Sequence, residues 1–168
     1  WAGGAPFRGK VTPPMEPGEL LVISGRVWSH ATRKPMAKVI LDVWQADAKG
    51  RYDFQDKPAN DPRPLVGGKQ PKRTDFRNRI RLLTDEQGFY EYETIKPAAY
   101  SIGRQTRPSH IHYMIQAPGH ARLITQLYFK GDPHIKNDSF GKGLGAANSP
   151  LVIETKKTKA GNSHYLRG

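Results

Sequence analysis

Two histidines one residue apart, His110 and His112, sit inside the apolar run His110-Ile111-His112-Tyr113-Met114-Ile115. Successive strand residues point to opposite faces, so residues i and i+2 share one. If this run is a strand, the imidazoles project side by side, roughly 7 Å apart at the backbone, and both can reach one metal ion. Imidazole suits zinc, copper, iron and nickel alike, so the pair by itself names no metal. Such pairs also occur on strands that bind nothing. The chain has no cysteine. That excludes disulfides, thiolate-bound zinc, iron–sulfur clusters and cysteine nucleophiles, and leaves His, Tyr, Asp and Glu as possible donors.

The elements that must carry these residues read as strands. Leu20 to Trp28 and Lys38 to Trp44 are rich in β-branched and aromatic residues, with turn formers and Pro35 between them. Thr84 to Gly88 is a turn signal, and Phe89 to Ile95 alternates aromatic with charged residues as a half-buried strand does. Ile111 to Ala117 and Leu123 to Phe129 flank Pro118-Gly119, and Leu151 to Ile153 is the last strand expected. No segment sustains a 3.6-residue apolar period. The expectation is therefore an all-β, single-domain antiparallel sandwich spanning 1–168, with long irregular loops around the site. Residues 1–18 read as an extended lead-in without an element, and 156–168 as a polar, basic tail, mobile or used as a docking arm. The charged, proline-bearing stretch Gln55 to Asn78 is long for a connection, and long connections commonly border sites.

A length of 168 residues suits one domain with its own core, and 36% hydrophobic with 25% charged residues is ordinary globular composition. No apolar run reaches the roughly 18 residues a membrane helix needs. The net charge of +12 invites a nucleic-acid reading. Yet the basic residues are spread along the chain, apart from clusters at Lys69–Arg81 and Lys156–Lys159, and no nucleic-acid-binding motif accompanies them. A solvated basic surface that attracts anionic ligands is the expectation, with no nucleic-acid partner. The sequence opens at Trp1, as a processed, trimmed or excerpted chain does, so targeting is not read from it; the expectation is a soluble protein with a slight lean to export.

Three segments belong together. They are Leu41-Asp42-Val43-Trp44-Gln45-Ala46-Asp47 continued through Gly50-Arg51-Tyr52-Asp53, then Thr94-Ile95-Lys96-Pro97-Ala98-Ala99-Tyr100, then Arg107-Pro108-Ser109-His110-Ile111-His112 with Leu123 to Asp132. In this order and spacing the chain resembles the intradiol ring-cleavage dioxygenases, above all the iron-bearing subunit type that acts on protocatechuate. The resemblance implies one non-haem Fe(III) per chain, held by Tyr52, Tyr100, His110 and His112. Tyr52 and His110 would be equatorial ligands, Tyr100 and His112 axial. A catechol-type diol would bind as a dianion and displace Tyr100, and O2 would open the ring between the hydroxylated carbons to a cis,cis-muconate-type diacid. Arg107 matches the arginine over the substrate ring, and Gln126 the glutamine that assists it. Phenolate is a hard anionic donor suited to ferric iron, and with a pKa near 10 two phenols stay ionised at neutral pH only beside a strong Lewis acid. The family's usual Gly-Pro before the second tyrosine is Ala98-Ala99 here, and Ile102 stands where the protocatechuate branch carries a larger residue. The helical N-terminal domain typical of catechol 1,2-dioxygenases has no counterpart, which points away from that branch. Homo-oligomerisation is compatible with this reading. Arg51, Arg104 and Arg122 are candidates to receive a substrate carboxylate.

Two other readings compete. Gly25-Arg26-Val27, Pro35-Met36-Ala37 and Thr84 to Tyr90 also read as a non-catalytic, prealbumin-like β-sandwich binding module. A zinc hydrolase on the histidine pair would need a third His or carboxylate ligand. His30, His120, His134 and His164 are expected in solvent. Tyr90, Tyr92, Tyr113 and Tyr128 are expected to pack in the core or across strands, and Asp85, Asp132 and Asp138 to serve turns.

Overall fold

The computed structural model describes residues 5–52, 77–138, 149–161 and 163–168. Its strands are β1 (Arg8–Lys10), β2 (Leu20–Arg26), β3 (Ile40–Gln45), β4 (Arg79–Leu83), β5 (Phe89–Ile95), β6 (Tyr100–Ile102), β7 (Gln105–Arg107), β8 (His110–Gln116), β9 (Leu123–Phe129), β10 (Val152–Ile153), β11 (Lys156–Ala160) and β12 (Ser163–Arg167). A 3₁₀ turn, Ile135–Asn137, follows β9. One sheet runs β1-β5-β2-β12-β11, the second β10-β9-β8-β3-β4, and β6-β7 form a separate ribbon. The all-β expectation holds, and the reason is the period-two burial that it rested on. Leu21 and Ile23 of one sheet meet Leu41, Val43, Ile111, Tyr113 and Phe129 of the other in a common core.

The long pairings β2–β5, β3–β8 and β8–β9 are antiparallel. Three pairs at or near the sheet margins, β1–β5, β9–β10 and β2–β12, are parallel. The turn before β5 is built as its residues suggested: the Asp85 carboxylate accepts the backbone N–H groups of Gln87 (2.9 Å) and Phe89 (2.8 Å).

Two termini differ from expectation. The lead-in contributes β1, paired with β5. The basic tail is a hairpin, β11 with β12, and β12 joins the sheet beside β2. Its lysines obscured the pattern. Leu166 is buried in the core while Lys156, Lys157 and Lys159 point out along an edge strand, where charge discourages further strand pairing. Strand β4 was hidden in the same way, since Arg79 and Arg81 flank inward-facing Ile80 and Leu82. The stretch Gln55 to Asn78 lies, but for its last two residues, outside the described residues.

Register decides which side chains reach the outer face of the second sheet. Ile111 and Tyr113 point into the core, so His110 and His112 point away from it. Cross-strand partners place Trp44 and Gln126 on either side of His112, and Tyr128 beside His110. One outward face thus collects Trp44, His110, His112, Gln126 and Tyr128.

Candidate metal centre

Strand β8 delivers both histidines from a well-anchored start. The Ser109 N–H donates to Asp132 (2.8 Å), and the Ser109 hydroxyl donates to the Pro97 carbonyl (2.6 Å), tying this end of β8 to the segment that leads to Tyr100. The His110 Nδ1–H donates to the Pro108 carbonyl (2.6 Å), which leaves Nε2 as a bare acceptor turned to the other side. The His112 ring lies flat on Trp44, with centroids 4.8 Å apart and planes 1° from parallel. The Arg79 guanidinium sits 5.4 Å from the Trp44 ring and is itself paired with Asp42 (3.2 Å). Trp44 thereby fixes the plane of His112, a task its place in the motif did not reveal.

Tyr52 comes from the loop after β3. The Asp47 carboxylate accepts the N–H groups of Lys49 (2.7 Å) and Arg51 (2.9 Å), and its other oxygen takes two bonds from the Arg51 guanidinium (3.2 and 2.9 Å). Arg51, a candidate to receive a substrate carboxylate, is paired with Asp47. Arg104 lies exposed in the turn between β6 and β7, and Arg122 lies exposed just before β9. The Asp47 carbonyl accepts from the Ala98 N–H (3.1 Å), which joins this loop to the Tyr100 segment. Gly50 makes that contact possible. Its φ is +76°, and a Cβ there would stand 2.7 Å from the Ala99 carbonyl oxygen and 2.9 Å from the Tyr100 Cβ. Gly50→Ala is thus expected to cost about 1–3 kcal/mol through backbone strain and to push the two tyrosines apart. Urea melts of the two proteins would check this; an unchanged midpoint would count against it.

Four donor atoms converge. The Tyr52 hydroxyl is 3.0 Å from His112 Nε2 and 3.5 Å from His110 Nε2. The Tyr100 hydroxyl is 3.5 Å from His110 Nε2, and the two Nε2 atoms are 3.1 Å apart. Tyr52 and Tyr100 meet edge to face at 5.4 Å. Donors each about 2 Å from one ion stand about 2.9–3.5 Å from one another, so these separations suit a single metal. Among the described residues no three His, Cys, Asp or Glu side chains come together, so the donors beside the histidine pair are phenols, which disfavours the zinc-hydrolase reading.

The electrostatics match. Burial, aided by the nearby Arg107 charge, pushes His110 down to about 4 and His112, which also feels His110, down to about 3, so both rings are neutral and their lone pairs available. Burial and then the neighbouring Tyr100 push the Tyr52 phenol far above its ordinary range. The oxygen would ionise only beside a strong cation. The set therefore fits a hard, highly charged ion.

Arg107 and Gln126, expected beside the substrate, are joined in one network. Arg107 is 5% exposed. Its Nη2 donates to Gln126 Oε1 (2.7 Å), and its Nε and Nη2 donate to the two oxygens of Asp138 (3.2 and 3.0 Å). The Tyr128 hydroxyl donates to Gln126 Oε1 (2.5 Å). Two expectations change here. Asp138 closes the 3₁₀ turn but also binds Arg107 with a fully buried carboxylate. Tyr128 is buried as expected, yet its hydroxyl belongs to this polar cluster. Tyr128 lies two residues from Gln126, and that spacing was the available signal. Nothing local marked Asp138.

A family model described as Dioxygenase (Dioxygenase_C) matches residues 8–167. The protocatechuate 3,4-dioxygenase beta chain of Burkholderia cepacia is 38% identical over 144 residues, covering 81% of this chain and 55% of that protein. Catechol 1,2-dioxygenase 2 of Acinetobacter lwoffii is 30% identical over 182 residues, covering 98% of this chain and 60% of that one. The chain thus spans little more than half the length of these curated relatives. Among solved structures, 3-chlorocatechol 1,2-dioxygenase from Rhodococcus opacus 1CP superposes with a TM-score of 0.74 at 28% identity, covering 99% of this chain and 66% of that one. The dioxygenase domain of a dioxygenase carbohydrate-binding protein fusion from Streptomyces sp. SirexAA-E gives 0.62 at 29% identity, covering all of this chain and 88% of that one. A match running from β1 to β12, and relatives 30–38% identical to it over the aligned residues, make this chain a member of the intradiol ring-cleavage dioxygenase family.

Proposed function

We propose that this chain holds one ferric ion through Tyr52, Tyr100, His110 and His112 and uses O2 to cleave a catechol-type ring between its hydroxylated carbons. The observation that carries the proposal is the meeting of two phenol oxygens and two imidazole Nε2 atoms within 3.0–3.5 Å of their neighbours. Ferric iron, when bound at these four side chains, would supply the Lewis acidity that activates a catechol-type diol.

The chain's own residues divide the remaining work. Tyr52 is buried, and its loop is pinned by Asp47; Tyr100 is half-buried on a three-residue strand. Tyr100 is therefore the phenol freer to swing out, and its Oη would take a proton from the incoming diol. Arg107 would set a fixed positive charge against the negative charge that develops on the ring, with Gln126 holding the guanidinium in place. Trp44 and the Pro108 carbonyl keep the two imidazoles from turning.

The test is optical. Ferric loading should give a burgundy tyrosinate-to-iron charge-transfer band that shifts when catechol is added without oxygen, and a strong chelator should remove both colour and ring cleavage. A protein that stays colourless after reconstitution would sink the proposal and favour the prealbumin-like binding module. That module has no use for these four side chains together.

A further inference from the structure

The Arg107 guanidinium is placed by a residue far along the chain. Asp138 grips it in a fork from Nε and Nη2, with the carboxylate wholly buried. The Tyr128 hydroxyl touches all three partners: it donates to Gln126 Oε1 (2.5 Å), stands 3.3 Å from Asp138 and 3.4 Å from Arg107 Nη2. Its ring lies 5.9 Å from that of His110. Gln126 Oε1 accepts from both Arg107 and Tyr128, so its amide cannot flip without losing two bonds. A long arginine side chain without such a clamp would sample several rotamers, and a charge that stabilises a reacting ring must be fixed beforehand.

We infer that Asp138 is a positioning residue for the ring-cleavage step, acting through Arg107, and that the Tyr128 hydroxyl locks Gln126 into the same array. This rests on the function proposed above. The Asp138 carboxylate and the Tyr128 hydroxyl are engaged with Arg107, Gln126 and each other, whereas the four metal donors converge among themselves. Loss of either residue should therefore spare the metal and slow the chemistry. Asp138 also lies on the segment whose Asp132 anchors Ser109 at the entry to β8, so one loop steadies both the arginine and the histidine strand.

The experiment compares wild type, Asp138→Asn and Tyr128→Phe, each loaded with ferric iron and given catechol. In Asp138→Asn the charge-transfer band and its shift with catechol should persist, while kcat falls about 100-fold with KM little changed. In metal-free protein the Arg107 Nε–H resonance should be protected from solvent exchange in wild type and lose that protection in Asp138→Asn. Should that variant fail to fold, Tyr128→Phe carries the test, with an expected loss of about tenfold in kcat. A kcat within about twofold of wild type in the folded variant, or a loss that only tracks lost iron, overturns the inference. A wild-type chain that cleaves no catechol at all overturns the functional reading, and this inference falls with it.

Discussion

Tyr52→Phe is expected to yield a folded protein that no longer retains ferric iron. The substitution removes one oxygen and keeps the ring, so the edge-to-face contact with Tyr100 survives. The lost hydroxyl gives up its short approach to His112, a change worth about 1 kcal/mol in fold stability. The effect on the metal is far larger. Residues that only support a ligand change metal affinity about 10–100-fold, so deleting an anionic donor should exceed about 100-fold. Tyr52 is also the more buried of the two phenols, which gives the site no solvent oxygen to replace it easily. Chelator competition followed by melting of the metal-free protein separates the two effects. Equal iron affinity in the two proteins would remove Tyr52 from the donor set.

Arg107→Ala should destabilise the fold more than any substitution at the donors. It takes the charged partner from the Asp138 carboxylate, whose side chain has no exposure, and strips Gln126 Oε1 of a donor. Breaking a buried ion pair by removing one partner costs about 3–5 kcal/mol. In a domain of this size each kcal/mol moves Tm by about 2–4 °C, so a drop of about 6–20 °C is expected. The double variant Arg107→Met with Asp138→Leu should regain much of that loss, because buried pairs replaced by apolar groups of similar volume are often no less stable. Ring cleavage should stay lost in the double variant, since the fixed positive charge is gone. A double variant as unstable as the single one, or one that still cleaves catechol, would contradict this account.

The fold and half of the site were legible because both follow from local spacing. Phe89 to Ile95 and Leu123 to Phe129 coincide with β5 and β9, since alternation along a strand is a property of the strand itself. The pairing of His110 with His112 on one face follows from the same period. The C-terminal hairpin and β4 escaped because lysines and arginines occupy their outward positions, and only Leu166, Ile80 and Leu82 report the inner face.

What the sequence by itself determined was the class of fold, the two imidazoles side by side and, through motif order, the family, whose resemblance nominated Tyr52 and Tyr100 beside them. What only the tertiary structure decided was everything that depends on segments meeting. Tyr52 reaches His110 across 58 residues and His112 across 60. Trp44 covers His112 because β3 pairs with β8 in one register. Asp138 finds Arg107 across 31 residues from the end of a loop. Spacing along a strand fixes where a side chain points, but the partner it points at is set by sheet register and loop path, and these follow from the packing of the whole core.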